Sequence, residues 1–346
     1  MHIPSPFDIL SLLGVAIAAF AIGGTSLPHG PATTDLASRS SSSSSNTRAS
    51  ISALVTQILE SMVANDPSTL PLATVYKATE NSHGAALSMM TSWHTIVNVG
   101  PPSLLAIDTT QGTAYFALNV NERNNEGQSI LRGRVKVVDE KISEIELFIN
   151  RYRGDDGFAF NSTQLPSNYA KVMSPPANRT KSSRAELQSL SEALFSTSND
   201  YEVTIADTCR LNELGWNVVD TGVYGNASSD PLDCSWPSNH PTDPNARTSL
   251  VIDEELGLVV TSGIIPGKVY PYNGNVSAFI PDTMTSAQEA QDIWYNEMIA
   301  NATIPVVAPI SSTAETMEVL QYYNGELQSM QINVFLGGPN MSSPWL

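Results

Sequence analysis

Along the chain, apolar positions fall first into a helical and then into a strand rhythm. Ile51, Leu54, Val55, Ile58, Leu59, Met62 and Val63 recur at three- and four-residue spacing, which predicts an amphipathic helix that ends before Asp66-Pro67. A second helical pattern covers Ala85 to Val97, with Ala86, Met89, Met90, Trp93 and Val97 on one side. Beyond Pro101-Pro102 the period becomes two: Ala114 to Val120, Ile130 to Val138 and Ile142 to Arg151 read as strands, the last two joined by a turn at Asp139-Glu140. Helices followed by an antiparallel meander predict an α+β domain in which a curled sheet closes around the helices.

The pattern returns. The hairpin Val135 to Ile149 can be laid on Val319 to Val334, which puts Asp139-Glu140 on Asn324-Gly325 and Ile145, Leu147 and Ile149 on Met330, Ile332 and Val334. Upstream, Leu187, Leu190, Leu194 and Phe195 answer the first helix, and Asn81…Gly84 is set against Asn212…Gly215. The second half is the longer, with extra chain assigned to 222–247 and 266–310, and Ser286 to Ile299 reads as an added helix with Ala290, Ile293, Trp294 and Ile299 on one face. The expected organisation is a signal peptide at 1–21, a flexible Ser-rich lead at 22–50, a first domain at 51–173, a linker at 174–183 and a second domain at 184–346.

Composition adds the compartment. Ile9 to Ala21 is an apolar run of signal-peptide length ending in Ala19-Phe20-Ala21, although no Lys or Arg precedes it. Six Asn-x-Ser/Thr acceptors, at Asn161, Asn178, Asn226, Asn275, Asn301 and Asn340, are expected glycosylation sites. Cys209 and Cys234 are the sole cysteines and read as one disulfide. These features predict a secreted or secretory-pathway protein with no membrane attachment after signal removal. The formal charge is −17, with 15 acids against Arg247 and Lys268 from Leu211 onward, which argues against a nucleic-acid partner.

Chemistry is approached by elimination. The sequence contains no Gly-x-Gly-x-x-Gly, Walker, Gly-x-Ser-x-Gly or His-Glu-x-x-His motif, so no cofactor and no metal are expected. The clusters Asp155-Asp156 and Asp253-Glu254-Glu255 lack the alternating ligands of a Ca²⁺ loop and read as solvated turns. The polar and aromatic groups that remain on inward-facing elements are the candidates. Glu80, His83 and His94 would serve as acid/base groups, while Trp93, Tyr115, Trp294, Tyr295 and Tyr322 would line an apolar small-molecule pocket. Ordinary core packing is the competing reading for each of them.

The string Tyr76-Lys77-Ala78-Thr79-Glu80-Asn81, then Met89-Met90 and Trp93, then Arg151-Tyr152-Arg153-Gly154-Asp155 with Phe158 and Gln164-Leu165-Pro166, resembles a fungal secreted family of cone-shaped SnoaL-like domains. In the second half, Cys209-Arg210, Val251 to Val259, Asn324-Gly325-Glu326-Leu327 and Pro344-Trp345 carry the same resemblance, which extends over residues 50–346. The resemblance implies tandem cone-shaped α+β barrels. Its members of known function are hetero-Diels–Alderases of tropolone–sesquiterpenoid biosynthesis, which implies [4+2] cycloaddition of a tropolone ortho-quinone methide with a humulene-type alkene. Such a reaction needs positioning and hydrogen bonding, and no nucleophile. Two alternatives stay open: another cofactor-free cyclase, isomerase or dehydratase, or a secreted carrier of apolar metabolites. Oligomeric state is left open.

Overall fold

The computed structural model describes residues 46–123, 125–151, 160–196, 201–217, 234, 236, 240–272, 276–284 and 286–346. The elements run α1 (Arg48–Val63), β1 (Leu72–Glu80), β2 (His83–Gly84), α2 (Thr91–Thr95), β3 (Ile96–Val99), β4 (Leu104–Asp108), β5 (Thr113–Glu122), β6 (Asn125–Val138), β7 (Lys141–Arg151) and α3 (Leu165–Val172). They continue with α4 (Arg184–Leu194), β8 (Ile205–Glu213), β9 (Trp216–Asn217), β10 (Arg247–Asp253), β11 (Leu258–Tyr272), β12 (Val276–Pro281), α5 (Ser286–Ala300), β13 (Ile310–Tyr323), β14 (Glu326–Ile332) and β15 (Val334–Gly337). The fold is α+β and strand-rich.

Local chemistry sets the helix starts. Thr47 and Ser50 form a capping box ahead of α1, and Ser183 and Glu186 form one ahead of α4, so two otherwise orphaned donors are satisfied at each end. The expected helix over Ala85 to Val97 does not form. Leu87–Met89 makes a 3-10 turn, Met90 is extended, only Thr91–Thr95 is α-helical, and Val97 lies exposed on β3. The helical rhythm there comes from two separate turns that bury Leu87, Met90 and Trp93.

The strands form two sheets with one repeated order. The first runs β2-β1-β7-β6-β5, with β4 and β3 both on β5; the second runs β9-β8-β14-β13-β11-β10, with β12 on β11 and β15 on β13. In both, the first long strand joins the sheet parallel to its neighbour, β1 to β7 and β8 to β14. The sheets are therefore mixed, a correction to the antiparallel meander, because β1 and β8 were not recognised as strands. Leu72–Glu80 buries only its last three residues, so its alternation is faint.

Even the irregularities repeat. The β6–β7 turn at Asp139-Glu140 and the β13–β14 turn at Asn324-Gly325 both have positive φ at two successive residues, the geometry that suits a tight hairpin. A bulge follows at the same place in each, after Lys136/Val137 and Gln321/Tyr322. Pairing Leu147 with Glu80 and Ile332 with Glu213 makes Glu213 the counterpart of Glu80. The positive-φ pair Asn81-Ser82 then corresponds to Leu214-Gly215, which corrects the alignment of Asn81 with Asn212.

Each sheet wraps a helix. Ile51, Val55, Ile58, Leu59 and Met62 of α1 pack against Phe116, Leu118, Leu131, Val135, Ile145 and Leu147, while Leu187, Leu190, Leu194 and the adjoining Phe195 pack against Val259, Leu320, Leu327 and Met330. Each fully buried aliphatic side chain on these two faces contributes about 1.5–3 kcal/mol. Large rings on the concave faces leave no room for a side chain at two strand glycines. A Cβ on Gly133 would lie 2.7 Å from the Phe116 ring, and one on Gly263 would lie 2.3 Å from that of Phe195.

The outer faces of the sheets pack on each other. Leu104, Ala106, Tyr115, Ala117, Ile130 and Phe148 meet Val251, Leu258, Val260, Met317 and Val319, with Leu165, Tyr169 and Val172 of α3 in the same cluster. Two reciprocal ion pairs frame this contact. Arg48, the first residue of α1, donates to Asp253 at 2.9 and 2.7 Å, and Arg184, the first residue of α4, donates to Asp108 at 3.0 and 2.6 Å. Each aspartate ends the strand that pairs with β5 or β11, and each also accepts a backbone N–H from the opposite half: Ile107 to Asp253 at 2.8 Å and Ile252 to Asp108 at 3.2 Å. The two halves thus meet as the halves of a two-fold interface would. Asp253, expected in a solvated turn, is fully buried.

The added chain of the second half includes β12 and α5. On α5 the buried anchor is Tyr295, against Tyr270 and Ile280, whereas Ile293 and Trp294 are exposed, so the face expected from Ile293 and Trp294 is corrected.

Candidate functional site

The three expected acid/base residues do not converge. His83 is exposed on β2 with Nδ1 at 2.7 Å from the Asn81 carbonyl, and His94 is exposed with Nε2 at 2.9 Å from the Ser88 carbonyl. The Glu80 carboxylate accepts the backbone N–H groups of Thr91 and Ser92 at 2.9 and 2.8 Å, which caps α2. Trp93 is core, its indole N–H donating to Ser61 at 3.1 Å. Trp294 and Tyr295 belong to the α5 cluster, with ring centroids 4.9 Å apart, and the Tyr322 hydroxyl donates to the Gly325 carbonyl at 2.8 Å. Cys209 and Cys234 form a disulfide. Asn178, Asn301 and Asn340 are exposed, while Asn161 is half-buried and accepts from Thr163 and Gln164; Asn226 and Asn275 lie outside the described residues.

Tyr115 alone leads to a polar centre, and it lies between the sheets. Its hydroxyl accepts from Asn333 Nδ2 at 3.3 Å, and Asn333 presents its carbonyl to Arg132 Nη1 at 3.4 Å. The Arg132 guanidinium is fully buried, bonds Asn150 Oδ1 through Nε at 3.1 Å and stacks 4.7 Å from the centroid of the Phe148 ring. Its Nη2 has no hydrogen-bond partner, nor do Asn333 Oδ1 and both carboxylate oxygens of Glu315. Buried polar atoms are seldom left so, and this group, drawn from both halves, is the candidate site.

Charges around the centre are arranged in one chain. Glu146 accepts from Arg134 at 2.9 Å and from Arg247 at 3.0 and 2.6 Å; Arg134 also bonds Glu144 at 2.7 Å. Glu315 is left with Arg247 at 3.7 Å. Burial, and then the neighbouring Glu146 charge, push the Glu315 carboxyl up to about 7. Burial pushes the Tyr115 hydroxyl up to about 12 and also raises that of Tyr169, so both stay protonated donors, and burial lowers the Arg132 guanidinium.

This centre breaks the repeat. Carrying the hairpin correspondence outward, Arg132, Arg134 and Glu146 of the first sheet answer to Met317, Val319 and Gln331 of the second, and Glu315 answers to Ile130. The sequence showed the alternation Ile130, Arg132, Arg134, Lys136 but gave no sign that this polar face is covered by a second sheet. Arg132, Glu315 and Asn333 were therefore missed.

A second buried pair sits on the concave face of the second sheet. His240 Nε2 lies 2.9 and 3.0 Å from the two Glu318 oxygens, Nδ1 faces the Pro241 carbonyl at 2.9 Å, and the Phe195 ring stands edge-on at 4.7 Å. Both ring nitrogens face oxygen acceptors. The first half has Gly133 where the second has Glu318. Among the described residues, no group of three or more His, Cys, Asp or Glu is placed to hold a metal ion, and no helix is long and apolar enough to cross a membrane. Compared with protein-family models, curated proteins and solved structures, the chain matches none.

Proposed function

We propose that the chain is a cofactor-independent pericyclase on tandem SnoaL-like cones, a hetero-Diels–Alderase acting on an apolar ortho-quinone methide and an alkene, with its site at the polar centre between the halves. The repeated strand order around a helix supports the tandem-cone reading, and the family resemblance supplies the reaction. The observation that carries the location is the unpartnered Nη2 of the fully buried Arg132 among Tyr115, Tyr169 and Phe148.

In the reaction one C–C and one C–O bond form as the quinone-methide oxygen becomes an aryl ether, with no net proton transfer. Charge develops on that oxygen, and a preorganised N–H in a low-dielectric site stabilises it. The flanking apolar side chains would hold the two partners in one orientation. Since Arg132 and Tyr115 are fully buried, binding requires the halves to part locally. Secretion with glycosylation, from the apolar leader and the sequons, belongs to the same proposal.

The test is the purified protein with a quinone methide generated in situ and a humulene-type alkene. Faster cycloaddition and one dominant stereoisomer are expected, both reduced in Arg132→Met. An unchanged rate and product distribution would end the proposal, and binding without turnover would point to a carrier. The His240–Glu318 pair favours one second reading, a proton-transferring cyclase or isomerase. Loss of nearly all activity in His240→Gln with Arg132→Met unaffected would select it.

A further inference from the structure

We infer that Glu315 is the proton-carrying member of the inter-half site, a neutral acid whose O–H, beside the free N–H of Arg132, is presented to a ligand oxygen. The inference rests on the reading that this centre binds the ligand. It specifies the ligand as a compound with at least two acceptor oxygens, one for each donor.

The geometry leaves Glu315 little other role. Apart from Nη2 of Arg132, the cations near it are engaged elsewhere: Arg247 chelates Glu146, Arg134 bridges Glu146 and Glu144, and Arg132 uses Nε and Nη1 on Asn150 and Asn333. Glu315 is 2% exposed, yet neither oxygen accepts a hydrogen bond, and Arg247 at 3.7 Å is beyond hydrogen-bonding distance. The titratable or charged groups around it are Glu144, Glu146, Arg132 and Arg134 from the first sheet, Arg247 from β10, Tyr115 from β5 and Tyr169 from α3. Arg247 and Arg132 pull the Glu315 carboxyl down, but less than burial pushes it up. A third carboxylate with no hydrogen bonds is costly to keep ionised in such a setting, and the upward displacement to about 7 follows. The corresponding position in the first half is Ile130, so the acid is a feature of one side only and serves no symmetric packing need.

Two measurements separate the acid from the site. Difference infrared spectra across about pH 5 to 9 should show, beside the band of Glu213, whose carboxyl burial likewise raises to about 7, a second protonated-carboxyl C=O band that disappears near about pH 7, is absent from Glu315→Gln and is shifted but retained in Glu315→Asp. Binding of tropolone methyl ether, an uncharged ring with two acceptor oxygens, should weaken about tenfold between pH 6 and 8 in the wild type and stay level in Glu315→Gln, whose amide N–H still donates. Absence of the band overturns the inference whatever binds. A band with pH-independent binding overturns the donor role and leaves the site intact. A band with no binding at either pH, in a protein with native near-UV circular dichroism, overturns the site and the donor role with it.

Discussion

The reciprocal ion pairs make a stability prediction with an internal ranking. Asp108 is buried and accepts from Arg184 and from the backbone N–H groups of Thr110, Gln111 and Ile252, the last from the opposite half. Asp108→Ala strands three donors and a guanidinium whose side chain is 25% exposed, so a loss of about 3–5 kcal/mol is expected. Arg184→Met leaves the carboxylate still held by three N–H groups, and its loss should be about 1.5–3 kcal/mol. The mirror changes should follow the same order: Asp253→Ala removes the acceptor for Ile107, Leu256 and Arg48, and Arg48, with its side chain 38% exposed, should matter less than Arg184. Urea unfolding followed by far-UV circular dichroism measures the four singles, and the double Asp108→Ala/Arg184→Met closes the cycle with a coupling of about 1–3 kcal/mol. If Asp108→Ala loses no more stability than Arg184→Met, or either aspartate change falls below about 0.5 kcal/mol, then these pairs do not hold the halves together.

Other expectations are simpler to check. Burial raises the Glu315 carboxyl to about 7 against 4.5 in the free side chain, so its own contribution to stability is full below about pH 4.5, falls by up to about 3 kcal/mol as pH rises to about 7 and then levels off, beside a like contribution from Glu213. Thermal melts of Glu315→Gln should lack that component, and an unchanged pH profile would reject the assignment. Trp345 lies between Lys77 and Arg134, at 4.6 and 4.9 Å from its ring centroid, and donates to Thr79 at 3.1 Å, so Trp345→Ala should lower stability by about 1–3 kcal/mol, measured by chemical unfolding. Reducing the Cys209–Cys234 disulfide, which closes a separation of 25 residues, should remove about 3.5 kcal/mol by the loop-entropy relation, and thiol titration of the unfolded, unreduced protein should find no free thiol.

Much of the fold was written in local patterns. The three- and four-residue spacing of Ile51 to Met62, the alternation through β5, β6 and β7 and the Asp139-Glu140 and Asn324-Gly325 turns all reflect chemistry that acts within a few residues, and the structure has elements there. The parallel strands β1 and β8 were not legible, because their partners are about 70 and 120 residues away and only pairing gives them a face. Likewise Ala85 to Val97 carried a helical period but was divided by the extended Met90 once Glu80, brought from β1, capped the turn that follows.

The candidate site divides the same way. By itself the sequence determined which residue types were available, that Cys209 and Cys234 could pair only with each other within the chain, and which strand positions share a face. It could not determine what covers a face. Arg132, Arg134 and Glu146 have the alternation of a solvent-facing strand and become buried only because a second sheet, the α3 helix and the C-terminal Trp345 close over them. Asp253 belongs to an acidic run that looks like a surface turn and is buried because Arg48 reaches it across 205 residues. Burial of a charge depends on the whole chain's packing. The tertiary structure therefore decided which polar groups are enclosed: Arg132, Tyr115, Asn333 and Glu315 lie buried between the halves, whereas His83 and His94 are exposed and Glu80 caps α2.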